Sequence, residues 1–351
     1  MLDYIIVGFG LSGLAFVEQL EKNNKSYVVF EDSSQKSSRV AGGLYNPVIL
    51  KRFTPAWQAI EQVETSGPFY KNIEKKLNQP LVFELPILRR FNSVEEQNVW
   101  FEACDKPILE RFLLAELYEN TNSALDIPYQ YGKVKHTGRI AIKKLLELYL
   151  GVIDQKKSLF KESFDYAALS TTPDYVEYKG VKARHVIFTE GFGVQKNPFF
   201  KDLPIVGNKG EYIIIESKAL KVTEAIKSSV FIIPLGNDIY KVGATYNNHD
   251  KSVEVTERAK EELIEKLERF LKVPYQIIDQ VAGIRPTVKD RKPILGTHPK
   301  FANLHILNGM GSRGILIAPS MAQNLFAYIE KDVPLNKEIN VKRFYDVIKK
   351  L

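Results

Sequence analysis

The sequence predicts an α/β fold in which a parallel sheet covered by helices is joined to a second, mainly antiparallel α+β part. Residues 3–31 have the pattern of a strand, a helix and a strand, and both strands are almost continuously apolar, which is typical of strands covered on both faces. The stretch 303–331 repeats the order strand, glycine loop and helix. Between these ends, apolar runs such as 210–217 and 228–247 are separated by tight turns and predict antiparallel strands.

The length and composition are those of a soluble globular protein. Of the 351 residues, 44% are apolar and 26% are charged, which excludes a disordered chain. No apolar window approaches the roughly 18 residues that are needed to span a bilayer. The first residues, MLDYIIVGFG, lead into a strand and a glycine turn and lack the pattern of a secretory signal. We therefore expect a cytoplasmic protein without a transmembrane segment.

The cysteine, histidine and charge patterns indicate neither a metal site nor a dedicated RNA-binding face. The single cysteine, Cys104, has no CxxC partner and is expected to be a structural thiol. The five histidines show neither HxxxH nor HxH spacing. The net charge of +7 comes from basic residues in short pairs such as Lys51-Arg52, which favours a solvated, slightly basic surface.

A glycine motif joins the first predicted strand to the first predicted helix. In GFGLSG, residues 8–13, Gly8 permits a tight turn and Gly10 lets a pyrophosphate approach the backbone. Gly13 lets the helix pack close to the strand. The helix N-terminus then presents N–H groups and the positive end of its dipole to phosphates. The pattern predicts a Rossmann-like, dinucleotide-binding unit.

Two acidic residues end the second strand, about twenty positions after the glycines. Glu31 can accept hydrogen bonds from the ribose hydroxyls of an adenosine, and Asp32 follows it. No arginine lies beside them before Arg39, which argues against a ribose 2′-phosphate and hence against NADP. The motif alone does not distinguish NAD from FAD.

Three further segments carry a resemblance to a known family. The segment SSRVAGGLYNP, residues 37–47, resembles the small-residue loop that follows the FAD pyrophosphate in the D-amino-acid oxidase (DAO) superfamily. The segment AGIRPTVKDRKPILG, residues 282–296, resembles the G-[IL]-R-P…D-x-x-P-x-[IL]-G element of that family, and GMGSRGILIAP, residues 309–319, resembles its final flavin loop. The segments occur in the family's order, and the resemblance covers nearly the whole chain.

Two branches of the superfamily are the most similar: glycine oxidase, and the oxidase domain of the bifunctional tRNA wobble-uridine modification proteins. The Gly-x-Gly-Ser-Arg-Gly form of the last loop, residues 309–314, favours the tRNA branch, as does Leu44-Tyr45-Asn46-Pro47. The bifunctional proteins also carry a methyltransferase domain that this sequence does not contain.

The resemblance implies a Rossmann-like FAD-binding domain with a discontinuous, mainly antiparallel α+β substrate-binding domain. We assign 1–75, 130–205 and 280–351 to the FAD-binding domain. The substrate-binding domain then comprises 76–129 and 206–279, with approximate boundaries. Because no cysteine lies near the family segments, the FAD is expected to be bound non-covalently.

The resemblance also assigns cofactor contacts. Phe164 falls where the family uses a backbone contact to the adenine, although packing in the core explains this residue equally well. Gly191 belongs to a turn that closes over the cofactor. The cofactor-binding residues that we expect are Gly8, Gly10, Leu11, Ser12, Gly13, Glu31, Asp32, Ser38, Arg39, Gly43, Leu44, Tyr45, Phe164, Gly191, Gly311, Ser312, Arg313, Gly314 and Ile315.

Arg285 is the principal candidate for substrate binding. It matches the arginine that binds the substrate carboxylate in the glycine-oxidase branch, and a guanidinium can bind a carboxylate with two hydrogen bonds. The alternative is a structural ion pair, for example with Asp290. Arg313 is expected to contact the flavin or the substrate, or else to cover the outside of the helix. Tyr246 is a candidate wall of the substrate pocket, with core packing as its alternative.

These features predict an FAD-dependent oxidoreductase that oxidises a C–N bond of a small amino acid or secondary amine. The resemblance implies hydride transfer to flavin N5, after which water hydrolyses the imine. The alternative partner is tRNA, from whose wobble uridine the same chemistry would remove the carboxymethyl group of a carboxymethylaminomethyl side chain. A third possibility is a flavoprotein that has lost its activity. The oligomeric state and the electron acceptor stay open at this point.

Overall fold

The computed structural model describes residues 1–348, and within this range the chain forms two compact units. The first unit comprises Met1–Arg39, Ile142–Asn208 and Ile284–Leu351, of which 349–351 lie outside the described residues. The second unit comprises Val40–Ala141 and Lys209–Gly283. Each unit is therefore discontinuous in sequence.

The described residues contain 21 strands and eight α-helices. The strands are β1 (Leu2–Val7), β2 (Tyr27–Phe30), β3 (Leu44–Tyr45), β4 (Val48–Ile49), β5 (Thr54–Pro55), β6 (Val82–Glu84), β7 (Ile87–Arg90), β8 (Leu113–Tyr118), β9 (Tyr131–Val134), β10 (Gly138–Ile140), β11 (Leu159–Phe160), β12 (Leu169–Thr171), β13 (Val176–Tyr178), β14 (Val181–Phe188), β15 (Ile205–Glu216), β16 (Ala225–Lys227), β17 (Phe231–Gly236), β18 (Ile239–Gly243), β19 (Gln276–Val288), β20 (Ile294–Thr297) and β21 (Leu304–Asn308). The helices are α1 (Leu11–Lys22), α2 (Ser37–Val40), α3 (Ala59–Leu77), α4 (Val94–Cys104), α5 (Ile142–Gln155), α6 (Glu257–Glu268), α7 (Gly314–Lys331) and α8 (Tyr345–Ile348).

The first unit is built on a sheet whose central strands are parallel. The strand order is β11-β2-β1-β14-β13-β12, with β21 also beside β14 and β20 beside β21. Strand β1 pairs in parallel with β2 and β14, so that Ile5 lies opposite Val28 and Val186. All three residues are buried, because apolar side chains on both faces of these strands are covered. The prediction of a parallel sheet formed by the N-terminal, middle and C-terminal segments is confirmed.

Helices α1 and α7 pack against each other and against strands of this sheet. Helix α1 begins at Leu11, directly after the glycine turn, and ends at Lys22, as its sequence predicts. It is buried around most of its circumference, and the ring of Phe16 lies 6.4 Å from that of Phe326 in α7. A helix that is apolar on all sides suits this position between other elements.

The second unit contains most of the mainly antiparallel sheet, since β15 up to Asn208 and β19 from Ile284 onward belong to the first unit. Its strand order is β19-β15-β18-β17-β16-β7-β9-β8, and β16 with β7 is the parallel exception. The hairpin of β17 and β18 turns at Asn237-Asp238, both with positive φ (52° and 59°), which is the geometry of a type I′ turn. The predicted antiparallel strands separated by tight turns are therefore confirmed.

The bounds of the two compact units differ from the predicted domain bounds by more than a few residues at two places. Residues 40–75 and 130–141, which we assigned to the first domain, belong to the second unit. The reason is a small sheet with the order β3-β10-β6, in which Leu44 lies opposite Arg139 and Arg139 opposite Phe83. This pairing joins residues that are nearly a hundred positions apart.

The second unit has its own apolar core. Helix α6, capped by Thr256, buries Leu263 and Leu267 against sheet residues such as Ile213. Cys104 is buried in the cluster around Trp100, and burial raises the pKa of its thiol to about 11. This agrees with a structural role for the cysteine. Within the described part of the chain, none of the helices combines the length and apolar character that a bilayer crossing requires.

Candidate active site

The glycine turn between β1 and α1 lies against the end of β14. Gly8 has a φ of +89°, and a Cβ atom on it would lie 3.1 Å from the backbone of Thr189 and Glu190. A Cβ atom on Gly13 would lie 2.5 Å from the carbonyl oxygen of Gly8. Both positions therefore require glycine, for backbone conformation at Gly8 and for close packing at Gly13.

The N–H groups of this turn are directed at acceptor oxygens. The N–H of Leu11 donates to Oγ of Ser38 (3.2 Å), and the N–H of Phe9 donates to a carboxylate oxygen of Glu31 (2.6 Å). Gly10 occupies the N-cap position of α1, and the first turn of that helix carries no acidic residue. The turn and the helix N-terminus thus form a small cradle that selects oxygen acceptors.

The two acidic residues after β2 differ in their surroundings. Burial raises the pKa of Glu31, and the Phe9 N–H and the Arg39 guanidinium, at 3.3 Å, offset this only in part. Asp32 is largely exposed. Its slight desolvation raises the pKa of the carboxyl, but hydrogen bonds from Ser34 and Ser163 lower it more, so that the pKa lies below the usual value. Glu31 is thus the carboxylate within the cradle, and Arg39 is its ion-pair partner.

The segment after β11 places the half-buried Phe164 against the apolar core. Its ring stacks on Tyr178, with 4.1 Å between the ring centroids, and meets Phe30 edge-on. The side chain of Phe164 therefore packs against other aromatic rings, as the alternative interpretation of this residue predicted. The backbone contact of Phe164 to an adenine stays a prediction.

Asn308, which the sequence analysis did not single out, joins two loops that are predicted to contact the cofactor. Its Nδ2 donates to the carbonyl oxygen of Gly191 (2.8 Å), and its Oδ1 accepts from the N–H of Gly309 (2.7 Å). Asn308 is 2% exposed and ends the apolar strand β21. A single polar residue at the carboxyl end of a buried strand was the signal that could have found it.

The last glycine loop joins β21 to α7 and lies beside β19. Gly309 and Gly311 have positive φ values of 81° and 56°, and the N–H of Gly311 donates to the carbonyl oxygen of Pro286 (3.0 Å). Helix α7 begins at Gly314, where a Cβ atom would lie 3.1 Å from Leu11. The structure therefore brings residues 309–314 close to the start of α1.

The other residues assigned to this loop occupy different environments. Ser312 is exposed, Arg313 is half-buried at the N-cap position of α7, and Ile315 is buried. The first unit in this way holds together most of the expected cofactor residues. Their contacts with the cofactor stay predictions.

Arg285 lies on β19, one residue before the carbonyl that holds the loop. It is half-buried, and its Nη1 donates to Oδ1 of Asn208 (2.7 Å). Asp290, the partner considered for a structural ion pair, instead binds Nε of Arg343 at 3.0 Å. Arg285 is therefore next to the glycine loop 309–314, as a substrate anchor would have to be.

The remaining expected residues belong to the second unit. Gly43 has a φ of +77°, and the backbone of Ile140 and the side chain of Arg139 leave no room for a Cβ atom there. Leu44 and Tyr45 form β3 and pair with Arg139 and Gly138. These contacts hold the Gly43–Tyr45 loop against β10.

Tyr246 follows β18, and Lys241, a buried lysine that the sequence analysis did not single out, lies on that strand. Tyr246 is 67% exposed on the connection that follows this strand, so its side chain is not a core residue. Lys241, on β18, is buried; its Nζ lies 5.0 Å above the ring of Tyr212 and donates to the carbonyl oxygen of Ala41 (3.4 Å). A role for Tyr246 in a substrate pocket stays a prediction.

Comparison with known proteins assigns the family. A family model described as FAD dependent oxidoreductase (DAO) matches residues 3–328. The chain belongs to this family. The expected cofactor, FAD, and the expected fold class are thereby confirmed, and the protein is an FAD-dependent oxidoreductase.

Relatives of this DAO-family chain fall in both branches considered above. Glycine oxidase of Bacillus subtilis (strain 168) is 23% identical over 96% of this chain and 94% of its own length. The tRNA 5-methylaminomethyl-2-thiouridine biosynthesis bifunctional protein MnmC of Idiomarina loihiensis is 26% identical over 97% of this chain, which spans 59% of that protein. Among solved structures, glycine oxidase from Bacillus cereus ATCC 14579 has a TM-score of 0.80 at 17% identity, over 96% of this chain and 99% of that one. At this identity the structural likeness shows the fold alone.

The cradle of this DAO-family chain fits FAD. The turn leaves no space for a Cβ atom at Gly8 or Gly13, two of its N–H groups face acceptors, and the carboxylate of Glu31 lies beside it. A diphosphate supplies acceptor oxygens for such N–H groups, and a ribose supplies hydroxyl donors for a carboxylate. The residues that would hold the nucleotide half are therefore those of the glycine turn, Ser38 and Glu31.

A second buried carboxylate, Glu190, lies behind the glycine turn. One of its oxygens accepts a hydrogen bond from the Tyr166 hydroxyl, and the other accepts from Nδ2 of Asn197 (2.8 Å). Burial raises the pKa of Glu190 to about 7, although both hydrogen bonds act in the opposite direction. Glu190 thus joins the end of β14 to the segment that follows Phe164.

This carboxylate predicts a pH dependence of stability. Between pH of about 4.5 and about 7, folded Glu190 keeps a proton that the unfolded chain releases, so the free energy of unfolding falls as pH rises through this window. Glu190→Gln should remove this loss and be more stable than the wild type by on the order of 2 kcal/mol at pH 8, with no gain at pH 4.5. Urea unfolding of the FAD-bound proteins across this range measures the effect.

A matched control is Glu177→Gln, since Glu177 pairs with Lys182 at 3.5 Å and its side chain is 40% exposed. This variant should have the pH profile of the wild type. Parallel profiles for the wild type and Glu190→Gln would contradict the prediction.

Proposed function

We propose that this enzyme oxidises the C–N bond of a small amino acid or a secondary amine that carries a carboxylate. The observation that carries the proposal is the position of Arg285: a half-buried guanidinium on β19, adjacent to the strand segment that binds the glycine loop 309–314. The names of the relatives, glycine oxidase above all, support the same substrate class.

The chain's own groups would act mainly by positioning and electrostatics. Arg285 would bind the substrate carboxylate through two N–H groups and thereby fix the direction of the neighbouring C–H and C–N bonds. The start of α7 presents N–H groups and the positive end of the helix dipole, which stabilise negative charge near residues 311–314. Bound FAD supplies the acceptor for a hydride from the carbon beside the nitrogen. The resulting imine is hydrolysed by water.

A second candidate is the oxidative removal of a carboxymethyl group from the carboxymethylaminomethyl side chain of a tRNA wobble uridine. Two observations favour it: the match to the bifunctional protein MnmC over 97% of this chain, and the Gly-Ser-Arg-Gly sequence at 311–314. Arg285 would then bind the carboxymethyl carboxylate. The net charge of +7 is compatible with a polyanionic partner.

An anaerobic reduction screen of the purified, FAD-bound protein tests both candidates. Glycine, sarcosine, D-amino acids, proline and tRNA from cells unable to complete the wobble modification are added separately, and loss of the flavin absorbance is followed. Bleaching by a small carboxylate-bearing amine is the expected result. If tRNA bleaches the flavin, none of the small amines does so, and tRNA binding weakens with salt, the tRNA-modifying function is favoured. A flavin that none of these compounds reduces would overturn both and favour an inactive flavoprotein.

A further inference from the structure

We propose that Asn208 is a positioning residue that sets the direction of the Arg285 guanidinium while leaving its charge for the substrate carboxylate. This inference rests on the proposed function. By orienting Arg285, the buried amide of Asn208 would help the site to bind carboxylate-bearing substrates in preference to neutral ones.

The position of Asn208 is closely defined by its surroundings. Asn208 is 4% exposed on β15, and its Oδ1 lies 2.7 Å from Nη1 of Arg285. At the preceding residue, Gly207, a Cβ atom would lie 2.7 Å from the side chains of Ile284 and Phe192. Since no side chain fits there, β15 approaches β19 closely at this point. The amide therefore reaches Arg285 from a backbone position with little freedom.

The residue on the other side of Asn208 is also held firmly. Lys209 is 1% exposed, and its Nζ binds Asp250 at 2.6 Å and Glu211 at 3.5 Å. Glu211 accepts further hydrogen bonds from Thr256. These contacts hold Lys209 and Glu211 in place within the second unit.

The chemistry of the amide explains why asparagine suits this place. A guanidinium has five N–H donors in a rigid plane, and one neutral acceptor is enough to select its orientation. An amide oxygen adds no charge, so the attraction of Arg285 for an incoming carboxylate is kept. An aspartate at the same position would form an ion pair with Arg285 and compete with the substrate. The isosteric change Asn208→Asp therefore separates orientation from charge.

The test compares binding of two small probes to the FAD-bound variants. Acetate and acetamide have nearly the same shape, and only acetate carries a charge; their binding is followed by the change in the flavin absorbance spectrum. We expect Asn208→Asp to weaken acetate binding at least tenfold and to leave acetamide binding within twofold of the wild type. Asn208→Ser, which keeps a neutral oxygen acceptor, should retain more acetate affinity than Asn208→Asp. For the amine found in the reduction screen, Asn208→Asp should raise KM much more than it lowers kcat.

The control for added negative charge is Asn336→Asp, since the Oδ1 of Asn336 accepts a hydrogen bond from the Glu338 N–H on the exposed surface and an aspartate keeps that acceptor. This variant should bind acetate like the wild type.

If Arg285→Ala loses acetate binding while Asn208→Asp and Asn208→Ser do not, the inference on Asn208 fails and the proposed function stands. If Arg285→Ala binds acetate normally, the proposed function itself fails. Equal weakening of acetate and acetamide would show a merely structural role and would also overturn the inference.

Discussion

Arg285→Ala is expected to lower kcat/KM for a carboxylate-bearing amine by about 100- to 20,000-fold while FAD stays bound. The reason is the loss of two charge-assisted hydrogen bonds, each contributing roughly 1.5–3 kcal/mol. Because every 1.4 kcal/mol is about a factor of ten in rate, these contributions correspond to the stated range. Steady-state kinetics of the variant, together with the flavin absorbance per protein, measure both parts of the result.

Two further variants sharpen this prediction. Arg285→Lys keeps the charge but not the planar pair of donors, so its loss should be smaller than that of Arg285→Ala. Arg184→Ala removes an exposed arginine from β14 of the same unit and should leave the kinetics unchanged. Wild-type kinetics in Arg285→Ala would remove Arg285 from the substrate site.

Gly13→Ala is expected to weaken FAD binding strongly. Its Cβ atom would lie 2.5 Å from the carbonyl oxygen of Gly8 and 3.0 Å from Oγ1 of Thr189, so the turn, α1 or β14 must move. Overpacking of this kind costs about 1–3 kcal/mol, and a shift of the N–H groups adds to the loss in affinity. We expect the dissociation constant for FAD to rise on the order of 100-fold. The flavin retained after gel filtration and a fluorescence titration with FAD report it.

The matched control is Gly151→Ala in α5, where a Cβ atom would meet no other atom within 4 Å. This variant should bind FAD normally and gain about 0.5–1 kcal/mol in the free energy of unfolding, because alanine is the better helix residue. Full FAD retention by Gly13→Ala would show that the close approach of Gly8 and Gly13 is not needed for the cofactor.

Much of the fold could be predicted because it depends on local patterns. The continuous apolar runs of β1 and β2 predict a parallel, doubly covered sheet, and the structure has it. The glycine spacing from Gly8 to Gly13 predicts a tight turn and a closely packed helix, and both are present. The Asn237-Asp238 hairpin is likewise a property of a few adjacent residues.

The first domain boundary could not be predicted in the same way. Residues 40–75 follow the FAD-type segments directly in the chain, which is why we assigned them to the first domain. Their membership in the second unit depends on the pairing of β3 with β10, across nearly a hundred residues. No local periodicity carries information about such a pairing.

In the candidate site, too, some features could be predicted from local sequence and others depend on the tertiary structure. Local sequence determined the cofactor turn, the acidic residue Glu31 and the arginine in GIRP, because motifs of a few residues encode backbone shape and charge. Only the tertiary structure decided that the Asn208 amide accepts a hydrogen bond from Arg285, that Asn308 joins two loops and that Glu190 is a buried carboxylate with a raised pKa. These properties arise from burial and from contacts between residues distant in sequence, since a side chain's partner and its dielectric surroundings exist only once the chain has folded.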